Sequence, residues 1–248
     1  MSNVTISLIV FVLVFGGALL GIFLSSAIPK DHLNDTSKDV VRTGIGLVVT
    51  IAGLVLGLLV ASAKQYYDAQ SNELNAMSAK IVLLDRVLAH YGPETREARD
   101  LLRSDLVLML NQLWSKNRTS LQPSLAIRKG FYDELQGLSP RTDAQRSIQA
   151  QALGITLALA EMRWLRYEQS ATAVSWPLLV VLVFWLTIIF ISFGIFAPKN
   201  LTVVTTLLFS ALAVSGAVLL ILEMYSPYVG LIHVSSAPLR AALEQLGQ

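Results

Sequence analysis

The sequence predicts an all-α integral membrane protein, with four transmembrane helices in two hairpins and a helical cytoplasmic domain between the hairpins. Hydrophobic residues make up 54% of the 248 residues and charged residues only 15%, whereas about a quarter of the residues in a soluble domain are charged. Four segments also contain the roughly 20 apolar residues needed to cross a bilayer core about 30 Å thick, with no charge in their interior.

The four apolar segments pair into two hairpins. The predicted spans are residues 4–28, 41–63, 177–197 and 201–222. A polar connector joins the first two spans into hairpin 1 (residues 1–63), and a tight turn joins the other two into hairpin 2 (residues 174–224), because Pro198 breaks the helix. We expect the first span to be a retained helix and not a cleaved signal, since no basic region precedes it.

An even number of spans places both termini on the same side of the membrane as the middle segment. That side comprises residues 64–173 and the tail 225–248, and it carries fifteen of the nineteen Lys and Arg residues. The positive-inside rule then predicts that the N-terminus, the C-terminus and the middle domain are cytoplasmic.

Two heptad patterns organise the predicted cytoplasmic domain. The first continues span two and is formed by Leu74, Met77, Ile81, Leu84, Leu88 and Tyr91. The second leads towards span three and is formed by Ile148, Ala152, Ile155, Leu159 and Met162. Alternating steps of three and four are typical of a helical packing seam, so we expect spans two and three to extend into water and pack antiparallel. Gly92-Pro93 ends the first extension, and residues 94–116 and 124–135 read as further helices.

A stripe of small residues follows one face of span two. Its members are Gly46, Thr50, Gly53, Gly57 and Ala61, and Gly17 and Gly21 form a similar pair in span one. Small residues allow helix backbones to approach closely in a membrane, so close packing is one interpretation. The other is that this face surrounds an ion pathway in an oligomer. The candidate pore-lining residues are Val49, Thr50, Gly53, Leu56, Gly57 and Val60.

A basic and aromatic collar marks the predicted cytoplasmic ends of the spans. It contains Lys64, Arg163, Trp164, Arg166 and Tyr167. Such residues anchor helices at the interface, and they could instead form a cationic vestibule that concentrates anions. The vestibule candidates are Lys64, Arg163 and Arg166, together with Glu223 at the end of span four.

Several classes of function are disfavoured by the sequence. No phosphate loop, nucleophile elbow, zinc motif or acidic metal cluster is present, so we expect neither catalysis nor a bound metal or cofactor. The basic residues form no dense run, which argues against nucleic acid as a partner. No ionisable residue lies in the interior of a span, which argues against a proton-driven transporter.

A set of motifs along nearly the whole chain resembles the bacterial bestrophin-like domain family. The motifs are residues 55–64 (VLGLLVASAK), Tyr67-Asp68, 83–86 (LLDR), 91–94 (YGPE), 176–186 (WPLLVVLVFWL), Phe193-Gly194, Ala197-Pro198, Leu222-Glu223, Pro227-Tyr228, Gly230 and 235–239 (SSAPL). The resemblance implies distant kinship to bestrophins, which are pentameric chloride channels whose second membrane helix lines the pore. It also implies residence in the bacterial inner membrane as a homo-oligomer, with membrane lipid and inorganic ions as partners.

The chain departs from bestrophins at two places. The acidic calcium-binding run that follows a Pro-Phe-Gly stretch in bestrophins has no counterpart after Pro227-Tyr228, so calcium gating is not carried over. The aromatic neck of bestrophin pores has no counterpart within residues 46–60, so anion selectivity is not carried over either.

Three hypotheses about the function follow from the sequence. The leading hypothesis is an oligomeric, bestrophin-like ion channel, with anions as candidate ions and span two lining the pore. The alternative is a membrane scaffold or sensor that does not transport and binds a partner through its cytoplasmic helices, and a small-molecule transporter is a third reading.

Overall fold

A computed structural model describes residues 2–26, 35–114, 129–171, 175–228 and 230–247. These described residues form helices and no β-strands. The α-helices are α1 (Asn3–Leu24), α2 (Asp35–Tyr91), α3 (Arg96–Leu113), α4 (Lys129–Gly137), α5 (Asp143–Ala171), α6 (Trp176–Phe196), α7 (Leu201–Met224) and α8 (Ala237–Gln245). A short 3-10 turn, Pro93–Thr95, follows α2. The all-helical fold class is therefore confirmed.

In the described part of the chain, four helices are long and apolar enough to cross a membrane: α1, α2, α6 and α7. Polar caps define where two of them begin, because the side chain of Ser2 accepts from the Thr5 N–H and that of Asn200 accepts from the Val203 N–H. The first span is shorter than predicted, since α1 ends at Leu24 and not at residue 28. Residues 27 and 28 lie outside the described residues.

The chain divides into two compact units. The first, here called the membrane unit, comprises Met1–Tyr66 and Val174–Ser226, and the second unit comprises Tyr67–Ala173 and Pro227–Gln248. Helix α2 contributes its first part to one unit and its remainder to the other.

In the membrane unit, α1 packs against both α6 and α7. Its contact with α6 depends on glycine, because a Cβ built on Gly21 would lie 2.1 Å from the Ile191 carbonyl oxygen, and one on Gly194 would lie 2.2 Å from that of Ala18. The contact with α7 includes a buried hydrogen bond of 2.7 Å, which the Ser7 hydroxyl donates to the Ser215 carbonyl. Close packing is thus confirmed as the role of the small pair in span one.

The second unit is built on the two predicted seams. All six residues of the first seam are buried, and the five from Leu74 to Leu88 share one core with Ala152, Ile155 and Leu159 of the second. The Gln145 side chain donates a 3.2 Å hydrogen bond to the Tyr91 carbonyl, which places the beginning of α5 beside the end of α2, as antiparallel packing requires. Most of the other side chains of this core come from α3, α4 and α8.

The predicted continuation of a membrane helix into the second unit is confirmed for α2 and differs for span three. Helix α2 is uninterrupted from Asp35 to Tyr91. Helices α5 and α6 are separate, because Ser175 precedes α6 with a non-helical ψ of 73°. A continuous helix would place Pro177 in its interior, where proline costs about 3 kcal/mol, whereas in the first turn of α6 it is well tolerated.

Helix α8 was not anticipated from the sequence. Leu239, Ala242 and Leu246 are buried in the core of the second unit, at the spacing of one helical face, and α8 packs on α3. The sequence did contain a signal for this helix. Ser236-Ala237-Pro238 is typical of a helix start with proline in the first turn, and the apolar residues after it follow helical spacing. The predicted helices 94–116 and 124–135 correspond to α3 and α4, and residues 115–128 lie outside the described part.

Candidate functional site

The first part of α2 differs from the other spans in how much of it is covered by the chain. Only 11% of its most apolar 18-residue stretch is buried, against 33% for α1 and α6 and 28% for α7. One narrow face is covered, at Ala52, Leu59 and Ala63, which are seven and four residues apart and so lie on one side of the helix. The rest of this span is available to lipid, to water or to another chain.

The small-residue stripe of α2 lies on the exposed side. A Cβ built on Gly46, Gly53 or Gly57 would meet no atom within 4 Å, in contrast to Gly21 and Gly194. Within the part of the chain that the structure describes, the glycines of the stripe therefore make no close helix contact. The close-packing interpretation is thus not supported by any described helix of the same chain.

All six predicted pore-lining residues lie at positions that the chain leaves at least partly open. Val49, Thr50, Gly53 and Gly57 are exposed, and Leu56 and Val60 are half-buried. The Thr50 hydroxyl donates to the Gly46 carbonyl at 2.9 Å, which holds the hydroxyl against its own helix. A second exposed strip, not anticipated from the sequence, consists of Leu47, Leu54 and Leu58, again seven and four residues apart.

Aromatic contacts fix the end of this span within the membrane unit. The Tyr225 hydroxyl donates or accepts a 3.1 Å hydrogen bond with the Ser62 hydroxyl, and the ring of Tyr225 lies 5.5 Å from that of Tyr66. These contacts join the residue that follows α7 to two successive turns of α2. They set which faces of α2 stay exposed, and the sequence contained no signal for this pairing.

The predicted vestibule residues are distributed between the two units. In the membrane unit, Lys64 is exposed, whereas Glu223 is buried and accepts a 3.1 Å hydrogen bond from the Asn3 side-chain amide. Asn3 also reaches the Leu222 carbonyl and the Ser226 hydroxyl at 3.3 Å, so this carboxylate belongs to a junction between α1 and the end of α7. Arg163 is half-buried in the second unit, and the side chain of Arg166 lies outside the described residues.

The second unit contains a partly buried ion pair that the sequence did not identify. Arg99 donates two hydrogen bonds, of 2.7 and 2.9 Å, to the two carboxylate oxygens of Asp85, and the Gly247 N–H donates a third at 3.2 Å. Asp85 is only 3% exposed, whereas the Arg99 side chain is 23% exposed. These contacts join α2, α3 and the segment after α8, so the pair links three parts of this unit.

The pKa of Arg99 indicates over which pH range this ion pair stabilises the fold. The hydrogen bond to Asp85 raises the pKa of Arg99 above its ordinary value, while burial opposes the shift. A group with a raised pKa stabilises the fold fully below its unfolded-state pKa and loses that effect as the pH rises through the folded-state pKa. For an arginine both values are strongly alkaline, so its share of the stabilisation is constant through neutral pH.

Together these features define a class of protein. It is an all-helical protein with four helices long and apolar enough to cross a membrane. Among them α1 packs on α6 and on α7, while the apolar part of α2 is largely exposed and the same helix continues as a core helix of the second unit. Among the described residues, no group of three or more His, Asp or Glu side chains is arranged to hold a metal ion.

The chain belongs to the Bestrophin-like domain family, whose family model matches residues 12–239. No curated protein sequence matches the chain. Its fold is similar to solved structures of a bacterial bestrophin homologue from Klebsiella pneumoniae, each with one mutation.

The likeness to these structures extends over almost the whole of both chains. The first has a TM-score of 0.70 and 13% sequence identity, and it covers 96% of this chain and 97% of the homologue. A second has a TM-score of 0.66 and 13% identity over 94% and 97%. A third has a TM-score of 0.66 and 14% identity over 95% and 99%. At such identities the comparison establishes the fold alone.

Proposed function

We propose that the protein is an oligomeric ion channel of the bacterial inner membrane, with the second unit in the cytoplasm and α2 lining the pore. The observation that carries the proposal is the exposed small-residue face of α2, whose glycines are approached by no described helix of the same chain. A closed ring of copies would cover this face or turn it towards an axial pathway. The family membership and the bestrophin-like fold support an oligomeric channel, with a pentamer as the expected ring.

The chemistry of α2 supports a passive pore and not a proton-coupled carrier. Its exposed face in the span offers glycine, a threonine hydroxyl and aliphatic side chains, and the interior of the span holds no ionisable side chain. Apolar constrictions can gate a pore by dewetting, so an apolar lining is compatible with conduction. At the predicted cytoplasmic end, exposed Lys64 would favour anions near the mouth.

Reconstitution of the purified protein tests this function. We expect single-channel currents in planar bilayers, with reversal potentials that shift on anion substitution. The absence of current above protein-free controls, across voltage, pH and calcium concentration, would overturn the channel proposal. A lack of response to anion substitution, with currents present, would overturn anion selectivity alone.

Gly57→Leu is expected to reduce or abolish the current. A Cβ at this position meets no described atom of the chain within 4 Å, so we expect the bulky side chain to be tolerated by the monomer and to fill space outside it. Conductance and gel-filtration profile should be measured on the same preparation. A Gly57→Leu protein that retains its oligomeric state and conducts normally would remove Gly57 from the pore lining.

The scaffold function is favoured by a different observation. The second unit exposes the aliphatic side chains of Leu83, Val107 and Leu108, although it lies outside the apolar spans. If these residues bind another protein, the purified full-length chain should capture a specific partner through them while conducting no ions. If the protein conducts ions and captures no specific partner, the result would support the channel and contradict the scaffold.

A further inference from the structure

Two helices of the second unit each carry a further heptad seam on their exposed side, here called the outer seams. The outer seam of α2 consists of exposed residues at alternating steps of four and three, namely Asn72, Ala76, Ala79, Leu83 and Arg86. The outer seam of α5 has steps of three and four and consists of Ala150, half-buried Leu153, Leu157, Ala160 and Trp164. Each outer seam lies about 160° around its helix from the buried seam, so both face away from the core.

The exposed side of both helices is uncharged over several turns. From residue 69 to 83 of α2, and from residue 147 to 160 of α5, every exposed residue is uncharged, and Leu83 and Leu157 are 46% and 55% exposed. The solvated side of α3 in the same unit is different, because it begins with the exposed charges Arg96, Glu97, Asp100 and Arg103. Charge is normal on a solvated helix face, and its depletion is typical of the centre of an interface.

The two outer seams also differ in side-chain size. Alanine occupies the centre of the α2 seam at Ala76 and Ala79, whereas the α5 seam presents Leu157 and Trp164, which is 58% exposed. Where heptad seams meet, large side chains insert into the hollows between residues of the facing helix, and small residues leave room for them. Each seam is therefore matched better by the other seam than by a copy of itself.

One contact between α2 and α5 sets the levels of both seams. The Gln145 side chain, near the beginning of α5, donates to the Tyr91 carbonyl at the end of α2. Because the two helices run antiparallel, residues equally far from this contact along each helix lie at the same level. The buried seams are consistent with this register, since Met77 and Leu159 are each 14 residues away and are both fully buried in the shared core.

The outer seams share the same levels. Ala79 and Leu157 are each 12 residues from the contact, and Ala76 and Ala160 are each 15 residues from it. Rotation of one copy about an axis along these helices keeps equal levels opposite each other. The outer seam of α5 would then meet the outer seam of α2 in the next copy at matching positions. Contact between two different faces is heterologous, and such contacts can close into a ring.

We propose that the outer seam of α5 packs on the outer seam of α2 in a second copy of this chain, with Leu157 beside Ala79. The occupant is another copy because one unit presents both complementary seams at matching levels, each turned away from its own core. The inference rests on the oligomer of the proposed function and adds the faces through which the second units join. It does not depend on ion conduction.

Disulfide crosslinking tests this contact, since the chain contains no cysteine of its own. Full-length chains carrying Ala79→Cys or Leu157→Cys, each with a different affinity tag, are coexpressed and oxidised in membranes. We expect a reducible dimer that bears both tags and few dimers that bear only one, because each position meets the other and not itself. Both positions are exposed, so the folded chain should tolerate the substitutions.

A change of register provides the control. Asn72→Cys lies on the same outer seam as Ala79→Cys and is also exposed, but it is seven residues away, which is about 10 Å along the helix. Its mixed dimer with Leu157→Cys should be several-fold less abundant, and equal yields would overturn the proposal. Leu157→Cys dimers with one tag, at the yield of the mixed dimer, would also overturn it, because the contact would then be isologous.

Two further measurements keep the result interpretable. If Leu157→Cys does not yield folded protein, Ala160→Cys with Ala76→Cys tests the same contact at the next position. A protein that conducts ions and elutes as an oligomer, but forms no mixed dimer, would overturn these contact faces and leave the proposed function standing. A protein that elutes as a monomer and carries no current would overturn both.

Discussion

Asp85→Ala should lower the stability of the protein by about 2–3 kcal/mol, the usual effect of losing hydrogen bonds to a charged group. The substitution removes the two carboxylate hydrogen bonds of Arg99 and the acceptor of the Gly247 N–H, while Arg99, whose side chain is 23% exposed, can still be hydrated. For a chain of this size, the expected decrease in apparent melting temperature is about 4–12 °C. It can be followed by thermal unfolding of the detergent-solubilised protein.

A second acidic residue provides a matched control for this experiment. Asp143 forms an ion pair with Arg146 at 2.8 Å, but both side chains are largely exposed. Asp143→Ala should therefore leave the melting temperature nearly unchanged, because solvent screens exposed pairs. The stabilising role of Asp85 in the second unit would be contradicted by either of two results. One is that Asp85→Ala has the same melting temperature as the wild type, and the other is that both variants lower the melting temperature equally.

Gly21→Ala should disrupt the packing of α1 on α6 and cost about 3 kcal/mol, at the upper end of the usual range for overpacking. The added methyl group would lie 2.1 Å from the Ile191 carbonyl oxygen, and backbone cannot move aside as a flexible side chain can. The two helices must then separate along their crossing. The expected decrease in apparent melting temperature is about 6–12 °C, and Gly194→Ala should have a similar effect from the other helix.

The same helix supplies the control. A Cβ on Gly16 would meet nothing within 4 Å, so Gly16→Ala should be tolerated and should stabilise α1 slightly through the better helix propensity of alanine. If Gly16→Ala and Gly21→Ala destabilise the protein equally, glycine content in α1 matters for a reason other than the crossing with α6.

Much of the fold could be predicted because its signals are local. Apolar length identified all four spans, and alternating steps of three and four identified the seam that Leu74 begins, which is buried along its whole length. Gly92, with a φ of +134°, ends α2 where the Gly-Pro pair predicted the end. The helix that the sequence analysis did not predict has a weaker local signal. The tail helix α8 is only nine residues long, and its apolar spacing becomes meaningful only beside α3.

The candidate site could be predicted only in part. Stripes of small residues in α1 and α2 look alike in sequence, and yet Gly21 contacts backbone at 2.1 Å while Gly57 contacts nothing within 4 Å. Which of the two packs inside the chain depends on which helices come together. For Glu223 the sequence suggested only nearby bases as partners, and the structure adds a hydrogen bond from Asn3, more than two hundred residues away in sequence.

The sequence by itself determined that this protein is helical, that four of its helices can cross a membrane, and that α2 extends beyond its span. Each of these follows from composition and periodicity within one segment, where the transfer of side chains out of water dominates the free energy. Tertiary structure alone decided that no described helix covers the small-residue face of α2 and that Asp85 is buried against Arg99. These properties depend on contacts between segments that are distant in sequence. A local sequence pattern does not specify which distant segments come into contact.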